Sequence, residues 1–151
     1  MRLLAILVVA LGLAAVAPGL SMAADVLITE AEANLPSPGD ALMATRGLTR
    51  GPAVEQVAPD PDAKAVKSQL PLKIRFVGRN NVAVDPASVK ITYLRTPSVD
   101  LTARLKAHLT PDGIEMSAVE VPPGTHVLRV DVRDAQGRAS TGTIKLNVAP
   151  K

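Results

Sequence analysis

His108 and His126 are the only imidazoles in this 151-residue chain, and it contains no cysteine. Nucleophilic catalysis needs an activated serine, cysteine or lysine beside a base that a third group orients. The thiol is missing, and neither a G-x-S-x-G elbow nor an S-x-x-K pair occurs. Ser37, Ser68, Ser88, Ser98, Ser117 and Ser140 fall in turn-like or strand-edge contexts. Acids that could pair for proton transfer, Asp60-Pro61-Asp62, Asp112 and Glu115, read as solvated loop residues. The residues therefore imply a protein that is not an enzyme and needs no cofactor.

Metal binding is the sharper alternative, since imidazole and thioether groups suit copper. Its candidate ligands are His108 and His126; Met43 and Met116 are too scattered to form a methionine site. His108 falls on the polar face of its expected strand, where a solvated side chain is the ordinary outcome. Calcium at Asp60 and Asp62 would need six or more oxygen ligands, more than this proline-rich turn offers. Gly47 and Gly51 flank Arg50 without a strand before or a helix after, so they form no phosphate loop. Arg46 and Arg50 read as solvated linker cations or as a contact for an acidic partner. One tyrosine, one phenylalanine and no tryptophan leave almost no stacking platform for sugars or bases. Tyr93 and Phe76 are both expected to point inward.

The elements that must position these residues are strands. Leu70, Leu72, Ile74 and Phe76 alternate with Lys73 and Arg75, the period of two that places one face on a core. Val89, Ile91 and Tyr93 repeat it after Asn80-Asn81 and Asp85-Pro86, both turn formers. Leu101, Ala103, Leu105, Ala107 and Leu109 alternate with polar residues and predict a strand over 101–109. Pro111-Asp112-Gly113 makes a turn, Ile114 to Val121 a weaker strand, and Pro122-Pro123-Gly124 its stop. Leu128, Val130 and Val132 pair with Ile144, Leu146 and Val148 across Asp134-Ala135-Gln136-Gly137, a hairpin loop with glycine where a positive φ is wanted. No segment predicts an amphipathic helix of any length. The expected fold is all-β, an antiparallel sandwich of about seven strands.

Ahead of the sandwich, the chain from Asn34 to Asp62 is punctuated by eight prolines and glycines that deny a long helix or a central strand. Residues 24–63 read as an extended lead-in whose patch Val54 to Ala58 could serve as an edge strand. Val26-Leu27-Ile28 pairs as a strand or Thr29 to Ala33 opens a short helix; both readings are open. Residues 64–151 then form the sandwich.

Met1-Arg2, the apolar run Leu3 to Ala17, Pro18-Gly19 and the small-x-small site Ser21-Met22-Ala23 have the layout of a secretory signal peptide over 1–23, with cleavage expected after Ala23. The run is shorter than the roughly 20 residues that span a bilayer. Cleavage implies a periplasmic or secreted protein with no membrane span. It removes one of seventeen basic residues against fourteen acids, so the small remaining excess is no nucleic-acid footprint. Without cysteine, neither a lipid anchor through that residue nor a disulfide can form.

Two stretches resemble the immunoglobulin-like and fibronectin type III-like modules of bacterial exported proteins. Pro122 to Gly137, with Thr143 to Val148 after it, resembles their penultimate strand, its turn and the closing strand. Leu72 to Phe76 followed by Val84 to Ile91 resembles an early strand and the loop into the next. Together they cover roughly 66–149. Such modules carry many unrelated functions, so the resemblance implies an architecture and an interaction or envelope accessory role with an unknown envelope or extracellular protein. The chain lacks the tryptophan and cysteine pair of antibody-like domains. The resemblance places His126 where these modules often carry a tyrosine that bonds back to the chain at a strand corner. The final hairpin, Arg129 to Val148, also looks somewhat like that of the copper-resistance family. In that family a histidine at the mature N-terminus and one after the turn are ligands; here Ala24-Asp25 and Arg138 stand at those places.

Overall fold

A computed structural model describes residues 24–39 and 50–150. Residues 1–23, where a signal peptide is expected, lie outside the described residues, as do Met43, Arg46 and Gly47. The described strands are β1 (Asp25–Val26), β2 (Ala53–Ala58), β3 (Leu70–Val77), β4 (Lys90–Tyr93), β5 (Val99–Asp100), β6 (Leu109–Thr110), β7 (Gly113–Glu120), β8 (Gly124–Arg133) and β9 (Ala139–Val148). Two short helices, α1 (Glu30–Ala33) and α2 (Thr102–Leu105), sit between them. One sheet runs β1-β7-β3-β2 with β6 also beside β7, and the other runs β5-β4-β8-β9. Every ladder is antiparallel except β1 on β7. The protein is an all-β sandwich.

Alternation decides which side chains meet between the sheets. Leu70, Leu72, Ile74 and Phe76 of β3 are buried while Lys73 and Arg75 are exposed. From the other sheet Ile91, Tyr93, Leu128, Val130, Val132, Ile144, Leu146 and Val148 close on them. Each such side chain contributes about 1.5–3 kcal/mol by leaving water, which is how a chain without disulfides holds. The core also reaches back before residue 64, because Leu27 and Ile28 are each 1% exposed. Both open readings of this stretch occur, since β1 pairs with β7 and α1 follows four residues later.

The strand expected over 101–109 is corrected. Residues 102–105 are α2, Lys106–His108 form a 3-10 turn, and only Leu109–Thr110 is extended. Leu101 and Leu105 are fully buried while Ala103 and Ala107 are exposed. Leucines four apart satisfy a helix as well as a strand, and the alanines between them gain too little from burial to enforce alternation. Asp100 Oδ1 accepts from Thr102 N–H at 2.8 Å and starts the turn.

Parts of the sheet edges are covered from within the chain. Gln56 reaches from β2 to β9, where its Nε2 donates to the Lys145 carbonyl and its Oε1 accepts from Lys145 N–H, both at 2.9 Å. The amide thus acts as one rung of a missing strand. Further along β9, Val66 N–H donates to the Asn147 carbonyl and Ala149 N–H to that of Val66, both at 2.8 Å. Gly142 is needed here, because a Cβ at that position would lie 2.5 Å from Val54 Cβ. On the opposite side of the second sheet, β5 and Thr102 Oγ1 occupy the edge of β4. β6 and β1 pair with the two ends of β7, leaving only Glu115 to Ala118 between them without a strand neighbour on that side among the described residues. Edges covered in this way discourage edge-to-edge association where they are covered.

The β8–β9 turn is clamped by Asp134, which is 2% exposed. Its carboxylate accepts from the backbone N–H groups of Gln136 and Arg138 and from Arg138 Nε at 2.6 Å. Burial alone would raise this carboxyl, but these donors outweigh it and hold it below the usual carboxylate range. Gly137 takes the positive φ of 77° that the turn requires.

Candidate functional site

The concave surface lies at the end of the sandwich where residues 24–38 cross it. Those residues form an arm tied to the sandwich at Leu27, Glu32, Pro36 and Ser37. Leu27 N–H donates to the Glu120 carbonyl at 3.0 Å. Thr29 and Glu32 make a capping box around α1, the side chain of each accepting from the other's backbone N–H. Arg104 of α2 grips Glu32 through both nitrogens, at 2.7 and 2.8 Å, and donates to the Leu27 carbonyl at 2.7 Å. The Arg104 hydrogen bonds hold the Glu32 carboxyl down at about 2, against a smaller opposing effect of burial.

The sign of that shift sets an acid limit for the arm. A carboxyl depressed in the folded state stabilises it fully above its free value of 4.5 and loses that contribution as pH falls toward about 2. Arg104→Met should therefore flatten the acid limb of stability between these values, measured by denaturant unfolding at a series of pH values. It should also lower stability near neutrality by about 1–2 kcal/mol. An unchanged acid limb would mean that Glu32 and Arg104 do not hold the arm.

Beyond α1 the arm meets a buried polar chain. Arg95 Nη1 donates to Ser37 Oγ at 2.6 Å, and Thr96 N–H donates to the Pro36 carbonyl at 2.9 Å. Arg95 Nε donates to Tyr93 Oη at 2.7 Å; Tyr93 Oη lies 2.7 Å from His126 Nδ1, and His126 Nε2 lies 2.8 Å from the Pro122 carbonyl. A carbonyl only accepts, so Nε2 carries the hydrogen, Nδ1 accepts, and the tyrosine hydroxyl donates to it. Tyr93 and His126 are almost wholly buried. Burial, reinforced by the Arg95 charge, pushes the His126 imidazole below its usual value of 6.5 despite the Pro122 bond that pulls it up. Burial likewise raises the Tyr93 hydroxyl against the opposing pull of Arg95.

The chemistry-bearing residues picked out in the sequence do not converge. Both nitrogens of His126 are engaged inside the fold, while His108 lies in a different recess with Nε2 3.6 Å from Asp25 Oδ2. Among the described residues no three His, Cys, Asp or Glu side chains group as metal ligands would. Asp60 Oδ1 accepts from Asp62 N–H at 2.9 Å in a local turn. Ser68 Oγ donates to the Val121 carbonyl and Ser88 Oγ to that of Asp85.

What the sequence did not single out is a run of three adjoining recesses beside the arm. The middle one, about 350 Å³, is walled by Val26, Ile28, Pro122 and Pro123 and carries Glu30 and Glu120. It shares Ser68 and Glu120 with a recess of about 270 Å³ that holds Lys67. On the other side it shares Glu30 and the two prolines with one of about 410 Å³ bordered by Arg95 and Asn34. Two carboxylates on apolar walls suit binding of a cationic group. The Thr29-x-x-Glu32 spacing was the readable signal for the cap that places Glu30; nothing local foretold that Glu120 would border the same recess.

Comparison of the chain with family models, with the curated proteins and with solved structures found no significant match.

Proposed function

We propose that the protein is an exported, immunoglobulin-like sandwich that acts without catalysis, by contact with another protein of the envelope or the exterior. Strand order supports the architecture. If β2, β3, β4, β5, β7, β8 and β9 are taken as the seven principal strands, the first, second and fifth share one sheet and the third, fourth, sixth and seventh the other. That division places consecutive strands as such modules do, with the short fourth strand moved to the second sheet. Export is supported by the leader pattern of residues 1–23 and by β1, which begins at Asp25 and is left whole by cleavage after Ala23.

The observation that carries the interaction reading is the contrast between the two kinds of surface. The sheet edges are partly covered by Gln56, Val66 and β5, whereas the arm-bearing end offers apolar recesses and carboxylates without ion-pair partners among the described residues. Strand donation to a partner fits these edges poorly, and binding at the end fits them well. The test places photoreactive residues singly at Val26, Val77 and Thr143 of the exported protein and irradiates it in its native envelope. A discrete adduct from at least one position is expected; none from any of the three would end the reading.

A further inference from the structure

We propose that the middle recess receives one lysine or arginine side chain presented by an extended segment of a partner protein. This rests on the reading of the domain as an interaction module and says which surface and which chemistry it uses.

Among the described glutamates, Glu30 and Glu120 are the two without a basic partner within ion-pair distance; Asp60, Asp62, Asp85, Asp100 and Asp112 also lack one, but none of these aspartates borders the recess beside the arm. Glu32, Glu55, Glu115, Asp131 and Asp134 each have a basic partner within ion-pair distance. Glu30 and Glu120 border the same recess. Its walls are apolar: Val26, 49% exposed, is one of only three large hydrophobic side chains left open among the described residues, and Pro122 and Pro123 stand opposite. A basic side chain satisfies both features at once, since its methylene stem covers apolar wall while its charged head meets the carboxylates. A phosphate or an acidic segment would be repelled.

The flanks restrict the occupant further. The recess continues on both sides through shared residues, so it admits a segment lying along it rather than a compact ligand. Lys67 stands on one flank and Arg95, fixed by Tyr93 and Ser37, on the other. Cations at both ends disfavour a polybasic stretch and favour a single basic residue between neutral neighbours.

The experiment is an NMR titration of the ¹⁵N-labelled chain 24–151 with three synthetic peptides of alternating threonine and valine. They differ only in a central lysine, glutamate or norleucine. The lysine peptide should shift the amides of Val26 to Glu30, Ser68, Glu120 and Val121. The Glu30→Gln/Glu120→Gln variant, altered at one exposed and one half-buried side chain and checked for unchanged spectral dispersion, should bind it about fivefold more weakly. The proposal is overturned by absence of shifts at millimolar lysine peptide, by equal binding of the glutamate peptide, or by unchanged affinity in the double variant. Photo-adducts separate this from the broader reading. An adduct from Thr143 alone, insensitive to the double variant, removes the recess and leaves the module; no adduct anywhere removes both.

Discussion

Leu27→Ala is expected to lower the unfolding free energy by about 2–5 kcal/mol, the range for emptying a core leucine site. Residue 27 stands in a stretch that reads as a lead-in, yet its side chain is 1% exposed and belongs to the same cluster as Leu72 and Leu128. Its backbone is tied as well, through the Glu120 carbonyl on one side and Arg104 on the other. Methyl groups removed here leave space in a core whose backbone is held by the flanking ladders and cannot easily fill it. Denaturant unfolding of the purified chain provides the value, and Val57→Ala serves as the surface comparison because Val57 is 46% exposed. That control should change stability by no more than about 0.5 kcal/mol. A loss at Leu27 as small as at Val57 would mean that the arm does not belong to the core.

His126→Ala should cost about 3–5 kcal/mol, because it empties a buried ring site and strands the Tyr93 hydroxyl and the Pro122 carbonyl together. His126→Gln, able to keep one of the two bonds, should cost less. The pair of variants also has a pH signature. With the folded imidazole held below its free value of 6.5, the unfolded chain takes up the proton first, so wild-type stability is full above pH 6.5 and declines as pH falls below it. The groups facing the ring are Tyr93 and Arg95, neither of which changes charge in that window, and the Glu32 effect begins only below about 4.5. In His126→Gln the decline between pH 6.5 and 5 should vanish. A decline that persists unchanged would place its source elsewhere.

Much of the fold is legible in the sequence because period-two patterns with bulky β-branched and leucine residues admit few alternatives. β3, β4, β8 and β9 fall where the alternation of Leu70 to Phe76, Ile91 to Tyr93, Leu128 to Val132 and Ile144 to Val148 places them. The edge strand at Val54 to Ala58 and the Gly137 turn also occur at their expected places. The 101–109 segment misleads for a definite reason: leucines spaced by four obey both periods, and the intervening alanines are neutral between them. His126 continues the inward register of β8 one step before Leu128, a position that the alternation contains but that a polar residue disguises.

The candidate site is far less legible. Glu30 and Glu120 are ninety positions apart, and they border one recess because β1 adds to β7 in parallel, a two-residue pairing with no pattern of its own. Gln56 is similarly opaque, since only the closure of β2 on β9 turns a surface amide into part of a ladder. Local sequence determines the strands; the long-range crossing of the arm determines the site.

Hydrogen–deuterium exchange of the chain 24–151, resolved by residue, tests the central claim that this arm is a built-in part of the sandwich and forms its binding end. The Leu27 amide, bonded to the Glu120 carbonyl, should open with a free energy comparable to that of the Ile74 amide in β3, both approaching the global unfolding value. Exchange of Leu27 at the rate of an unprotected amide, while Ile74 stays protected, would contradict the claim and with it the recess that the arm helps to wall.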